Sequence, residues 1–429
     1  VADVRRFVER GAPVPSEVPT PTSMSAPAAP ERGGEPNLVV LPVVSRSGFP
    51  EDEAFAADLT SELIAELIRH GWARVITAAG TDRRSAVDLR GLARELDARY
   101  VVEAHVRRIG PTLRLMVQLF EAQSGSFVWT QKYDRSLDDL AGAEEALGVE
   151  AASHISEQQI LRRELDRAVN KSGDWSAWER ALRALACTTH LGSDSSQVAI
   201  EEARQAVAIA PDYALAHAMF AWALGVGSLF GKEPDRDDLR AHIKHAVALD
   251  GSDPRVLRVV STASSVIGDF QTALRFAKRA VELAPHVGNG HFCLAWVYLG
   301  LGQNAAAIAA LDAEQKIAPQ VHNLFISQYL RGLALFSQGR LADAGEALDR
   351  SLELNANFVL TQKWRAIVST LLGAQEEAHQ AVRDMRATEP SLTLEDHVSQ
   401  IMLTVPDPAR AAEAVAVLRR IWAAAGPAT

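Results

Sequence analysis

Four glycines constrain this chain more than any other feature. Gly268, Gly302, Gly339 and Gly373 lie 34, 37 and 34 residues apart, and Ala273, Ala307, Ala344 and Ala378 follow them at one constant offset. Pro285 and Pro319 are again 34 apart, and Pro390 closes the last unit at the matching place. Upstream, Ala199, Ala206 and Pro211 stand in the same relation as Ala273, Ala280 and Pro285, with one intervening unit lengthened by about six residues around "GKEPDR". A period of this length describes a stack of helix hairpins. The glycine makes the turn, the alanines let helices cross closely, and the proline cannot continue a helix, so it marks the unit boundary. "GDFQTALRFAKRAVELAP" (268–285) is then the turn and second helix of one unit, and six units start near Arg180, Ala214, Pro254, Gly288, Phe325 and Val359.

Ahead of the repeats the pattern changes. "LVVLPVV" (38–44) is a continuous apolar, β-branched run and predicts a strand buried on both faces. "DEAFAADLTSELIAELIRHG" (52–71) sets Phe55, Leu59, Leu63, Ile64, Leu67 and Ile68 on one helical stripe closed by Gly71. "ARVITAA" predicts a short strand and "DLRGLARELDA" (88–98) a helix. "YVVEAHVRRI", "TLRLMVQLFEA" and "FVWTQKYDR" then alternate apolar with polar residues between "GP" and "SG" turns, which predicts a meander. The expected organisation is a disordered, proline-rich linker over 1–36, a small α/β domain over 37–140, and connecting helices over 141–179. Six hairpins over 180–392 and C-terminal capping helices over 393–429 complete it.

The period and its punctuation resemble the tetratricopeptide repeat. The best-matching unit, 288–319, has Leu294, Ala295, Tyr298, Gly302, Ala307, Leu311 and Pro319 at family positions. Glu314, Ser351 and Met385 depart from it by replacing a small residue, and Asn355 with Ala356 replaces one terminal proline. Residues 38–140 resemble the TolB amino-terminal-like domain of bacterial signalling proteins. The matching features are Leu41 with Pro42, Phe55 with Ala56, Leu59 with Thr60, "AREL" (93–96), Tyr100 with Val101, Gly125, Trp129 and "YDR" (133–135). The resemblance implies an architecture in which this domain precedes tetratricopeptide repeats and follows a winged-helix DNA-binding domain or a class III nucleotide cyclase domain. It carries over no catalytic residues. The expected fold class is α+α/β, a small TolB N-terminal-like α/β domain followed by an all-α tetratricopeptide-type superhelical solenoid.

Candidate chemistry is sparse. Asp58, Glu62 and Glu66 share a helix face, which reads as a solvated face opposite the Leu/Ile stripe. His242 and His245 have a metal-compatible spacing without a third ligand nearby. "GVGSLFG" (225–231) follows a helix and lacks the Lys and Ser/Thr of a phosphate loop. Cys187 and Cys293 are far apart and read as packed thiols, which fits a reducing compartment. "YDR" is open to two readings, a ligand contact or an ion pair across the sheet rim. No cofactor or metal is expected, nor a catalytic residue.

The best functional candidate is a surface. In such stacks the first helix of each unit lines the concave groove. That places Asn289, Phe292, Trp296 and Leu299 there from one unit and Ile326, Tyr329, Leu333 and Phe336 from the next. Arg255, Arg258 and Lys363 would add a cationic rim suited to an acidic peptide. Two occupants stay open: an external protein partner, or this chain's own α/β domain or C-terminal helix (409–425). Net charge is -10, which argues against nucleic-acid binding by the whole chain. The N-terminus has charges where a signal peptide's apolar region would stand, and no apolar run is long enough to span a bilayer. The expectation is a cytoplasmic, non-enzymatic, protein-binding module of a bacterial signalling or regulatory protein. The alternative is the regulatory half of a transcriptional regulator or adenylate cyclase whose head lies upstream of Val1.

Overall fold

The computed structural model describes residues 34–78, 88–140, 142–189, 193–228, 235–319 and 323–425. The expected linker lies outside them up to residue 33, and residues 34–36 lead directly into the first strand. β1 (Asn37–Val40) and β2 (Val44–Ser45) are two strands where the apolar run predicts one. Pro42 has no N–H to give a ladder, and Val43 turns its own to Thr60 Oγ1 at 2.8 Å. α1 (Pro50–His70) follows, with proline and three acidic residues in its first turn and Gly71 ending it at φ 74°. Leu59, Leu63 and Leu67 of its stripe are buried, whereas Ile68 falls outside the arc that meets the sheet and is 59% exposed.

β3 (Arg74–Thr77) and α2 (Leu89–Glu95) come next, α2 capped by the Asp88 side chain accepting from Gly91 N–H. β4 (Tyr100–Ile109), β5 (Thr112–Glu121) and β6 (Ser126–Ser136) form the antiparallel meander. The sheet runs β3-β1-β4-β5-β6, with β1 parallel to both neighbours and β2 parallel to β4. α1 and α3 (Ala143–Ser153) cover one face, where Leu59, Leu63, Leu147 and Ala151 join a core with Val40, Val102, Leu115 and Val117. α2 covers part of the other through Ala93, against Val39, Val101 and Phe120.

α3 passes through a π-helical stretch (His154–Leu161) into α4 (Arg162–Asn170) and so to the repeats. The hairpins are α5 (Ala177–Thr189) with α6 (Ser193–Ile209), α7 (Ala214–Ser228) with α8 (Arg236–Asp250), and α9 (Pro254–Val266) with α10 (Phe270–Leu283). Then come α11 (Gly288–Gly300) with α12 (Asn304–Ile317), α13 (Leu324–Ser337) with α14 (Leu341–Leu354), and α15 (Val359–Leu371) with α16 (Gln375–Thr388). α17 (Leu394–Thr404) and α18 (Pro408–Ala424) pack on the last pair. The punctuating glycines all have positive φ, between 71° and 85°, which a side chain would strain. Ala273, Ala277 and Ala280 are each 1% exposed or less, because the next helix lies against their methyl groups. One apolar core runs without interruption from Leu38 in β1 to Ile267 after α9, so sheet and first hairpins are packed as one body.

Candidate functional site

The first helices of successive hairpins point one face each at a common hollow. α9 offers Arg255, Arg258, Val259 and Thr262, and α11 offers Asn289, Phe292, Cys293 and Trp296, the same i, i+3, i+4, i+7 face. α7 adds Leu215, Met219 and Trp222, α5 adds Leu182 and Leu185, and Ile326 and Asn323 close the far side. Trp72, in the loop after α1, supplies a wall from the α/β part. Together they line a largely apolar, partly open cavity of about 110 Å³. Trp222 and Trp296 meet edge to face at 6.2 Å between centroids.

The two arginines of this site differ in their surroundings. Arg255 bonds Asp253 at 2.7 Å and Glu35 at 3.0 Å, and Tyr213 donates to the same Glu35 oxygen at 2.8 Å. Burial opposes the Arg255 charge, but the Asp253 and Glu35 carboxylates outweigh it and raise its pKa. Burial likewise works to raise Asp253, yet Arg255 and Arg258 hold it below the usual carboxylate range. Arg258 is 3% exposed, and its Nη1 has no hydrogen-bond partner among the described residues. Its guanidinium lies 5.9 Å from the Trp72 ring centre. Glu157 accepts from Trp72 Nε1 at 2.9 Å and lies 3.3 Å from His70 Nδ1. Burial would raise its pKa, but these contacts and the Arg258 charge bring it down to about 2. Burial pushes the Cys293 thiol up to about 12, so it stays protonated and packed.

A smaller cavity of about 50 Å³ shares Trp296 and is lined by Leu299, Tyr329, Leu333, Phe270 and Thr404. The remaining predicted groove residues are covered. Phe336 is fully buried against Trp364 at 5.0 Å, and Lys363 donates from Nζ to Gln400 Oε1 of α17 at 2.6 Å. Lys363 is therefore not on a cationic rim: α17 lies over it, and burial lowers its amine to about 7. Arg255 is likewise tied up, by Glu35 from the segment before β1. What borders open space is the middle of the groove, where Asn289 and Trp296 are half-buried and the buried Phe292, Ile326 and Arg258 line the hollow.

Of the other sequence candidates, Glu66 is not solvated. It is 1% exposed, pairs with Arg69 and lies 3.3 Å from His286, so it joins α1 to the repeats. Asp58 remains exposed and Glu62 half-buried. His242 and His245 gather with His217, whose Nδ1 lies 2.8 Å from that of His242, and burial lowers the pKa of both His217 and His242. Among the described residues no group of three or more His, Cys, Asp or Glu could hold a metal ion. In "YDR", Asp134 pairs bidentately with Arg114 across the sheet, both at 2.7 Å, and Arg135 with Glu150 at 2.7 Å. Residues 225–228 of "GVGSLFG" end α7 and the rest lie outside the described residues. Trp72 and Glu35 lie outside the repeats and escape a reading by repeat register, whereas Trp222 stands in its unit where Trp296 does in its own and Met219 where Cys293 does, so the register carries a signal for both. For the first pair the one local signal is at Trp72, a large apolar residue just after a helix-ending glycine.

Residues 326–358 match the tetratricopeptide repeat family model. A curated relative, "Putative adenylate cyclase 3" of Rhizobium meliloti (strain 1021), is 26% identical over 241 residues, covering 55% of this chain and 41% of that protein. The chain thus spans less than half the length of that relative. Among solved structures, PilW, a widely conserved type IV pilus biogenesis factor, is 18% identical with a TM-score of 0.37, covering 48% of this chain and 91% of that one. YrrB, described as a TPR protein with an unusual peptide-binding site, is 17% identical with a TM-score of 0.29, covering 44% and 93%. No helix among the described residues is long and apolar enough to cross a membrane. The chain is a small mixed-sheet domain followed by a long all-helical solenoid of the tetratricopeptide type.

Proposed function

We propose that this chain is a non-enzymatic protein-binding module of a bacterial signalling or regulatory protein, and that the open middle of its groove holds a segment of a protein partner. The observation that carries this is the contrast along the groove. Both ends are filled, by Trp72 and Glu35 at one and by α17 at the other, while Asn289, Phe292 and Trp296 border open space. A half-buried tryptophan beside an amide side chain, as Trp296 is beside Asn289, is what an interface anchor site offers. The repeat family match supports protein recognition, and the order of strands and helices before it supports the TolB-like reading. Trp296→Ala should abolish partner capture in cells while circular dichroism and melting temperature stay close to wild type. Undiminished capture by that folded variant would remove the groove as the binding site.

The similarity to a protein named as an adenylate cyclase favours a second reading, in which this chain is the regulatory half of such an enzyme. The genomic sequence upstream of Val1 tests it directly. Paired metal-binding aspartates on a cyclase fold are expected there, and their absence would end this reading.

A further inference from the structure

Arg258 and Arg255 sit one helical turn apart on α9, yet only Arg255 is provided for. Asp253 and Glu35 are both committed to Arg255, and Glu157 to His70 and Trp72. Arg258 therefore has carboxylates near enough to feel its charge but none within hydrogen-bond distance among the described residues. A buried guanidinium nitrogen without an acceptor, as Nη1 is here, is costly, because it has given up water and gained nothing directional in return. Arg258 lines the cavity, where no acceptor among the described residues holds its guanidinium. Asn323 also lines this cavity, and its Oδ1 is a buried acceptor without a partner, which a carboxylate does not satisfy. The rest of the wall is apolar, chiefly Leu215, Met219, Trp222, Phe292 and Trp296.

We infer that this cavity is a binding site for a compact monocarboxylate with an aromatic or short aliphatic body, its carboxylate accepting from Arg258 and its body packed among the tryptophans. Three observations set the class. A hollow of about 110 Å³ is on the scale of the ~150 Å³ cavity that accommodates benzene, so it seats a body of that order. Arg258 acts electrostatically on the Glu157 and Asp253 carboxylates, and these oppose added negative charge, so one charge is the most the site takes and a polyphosphate is disfavoured. Aromatic walls favour a flat or slender apolar body. Because Trp72 belongs to the α/β part and Arg258 to the solenoid, the ligand would touch both.

The inference concerns the same open middle of the groove as the protein-binding proposal, but it is tested on the purified chain without a partner, so failure of one leaves the other standing. Titration calorimetry on the full chain, with tryptophan fluorescence as a second signal, tests it using benzoate and hexanoate against benzyl alcohol and hexanol. At least one acid should bind about tenfold or more tighter than its alcohol, the scale of one charge-assisted hydrogen bond. Arg258→Gln should erase that preference. The acid–alcohol comparison in the wild-type chain stands even if the variant does not fold. Equal binding of acid and alcohol, no binding of either acid, or a preference that survives in a folded Arg258→Gln chain would each overturn the inference. So would binding of a peptide with a free C-terminal carboxylate when neither small acid binds, since the site would then serve a chain terminus.

Discussion

Glu314 stands where its neighbouring hairpin has Ala280, and the fold buries it all the same, at 1% exposure with no hydrogen-bond partner for either oxygen among the described residues. Burial pushes its carboxyl up to about 7, opposed only in part by Ser327 and Arg331. A carboxyl whose folded pKa exceeds its unfolded value contributes full stability below about 4.5 and loses it as pH rises through about 7. Glu314→Ala should therefore flatten the fall in stability between pH 5 and 8, a gain of up to about 3 kcal/mol at pH 8 in urea unfolding. Lys363 has the opposite sign. Its amine is lowered from 10.5 to about 7, so the unfolded chain holds the extra proton and stability rises between those values. Lys363→Met should remove that rise, read as a melting temperature that no longer climbs from pH 7 to 10. Glu314 was legible as a departure from the repeat. Its ionisation was not, because that depends on which helices surround it.

At the scale of elements, the glycine turns separate conformational from steric cost. Gly268 has φ 80° and nothing within 4 Å of where a Cβ would stand, so Gly268→Ala should cost about 1 kcal/mol through backbone strain alone. Gly300 lies within α11, but an added Cβ would sit 2.1 Å from Phe270 Cε1. Gly300→Ala should cost clearly more by equilibrium unfolding, since Phe270 must move. The helix hairpins and the meander were readable because apolar spacing, glycine and proline act within one element. The break at Pro42 was concealed by the apolar run, which reads as one strand although Pro42 cannot donate to a ladder. The exposure of Ile68 was hidden for another reason: a helical stripe gives a direction and not the width of the surface that meets it.

At the scale of the molecule, the α/β part is held to the solenoid by contacts between residues remote in sequence. Glu35 joins Arg255 and Tyr213, Glu66 lies against His286, and Trp72 packs on Trp178 at 6.0 Å between ring centres. Arg255→Met leaves Asp253 and Glu35 without their cation, a change worth about 3–5 kcal/mol for a buried pair. Hydrogen exchange at Asn37–Val40 should rise in that variant, and unchanged protection would show that Glu35 does not hold the segment before β1. By itself the sequence determined that the chain is a small sheet layer followed by stacked helix hairpins. Periods of two and of 34, with glycine and proline between, act on neighbouring residues and are written into the order of the chain. Which part of the groove is covered, and which arginine lacks a carboxylate, only the tertiary structure decided. Those outcomes depend on charges and rings from distant segments meeting in one place, and no local spacing encodes such a meeting.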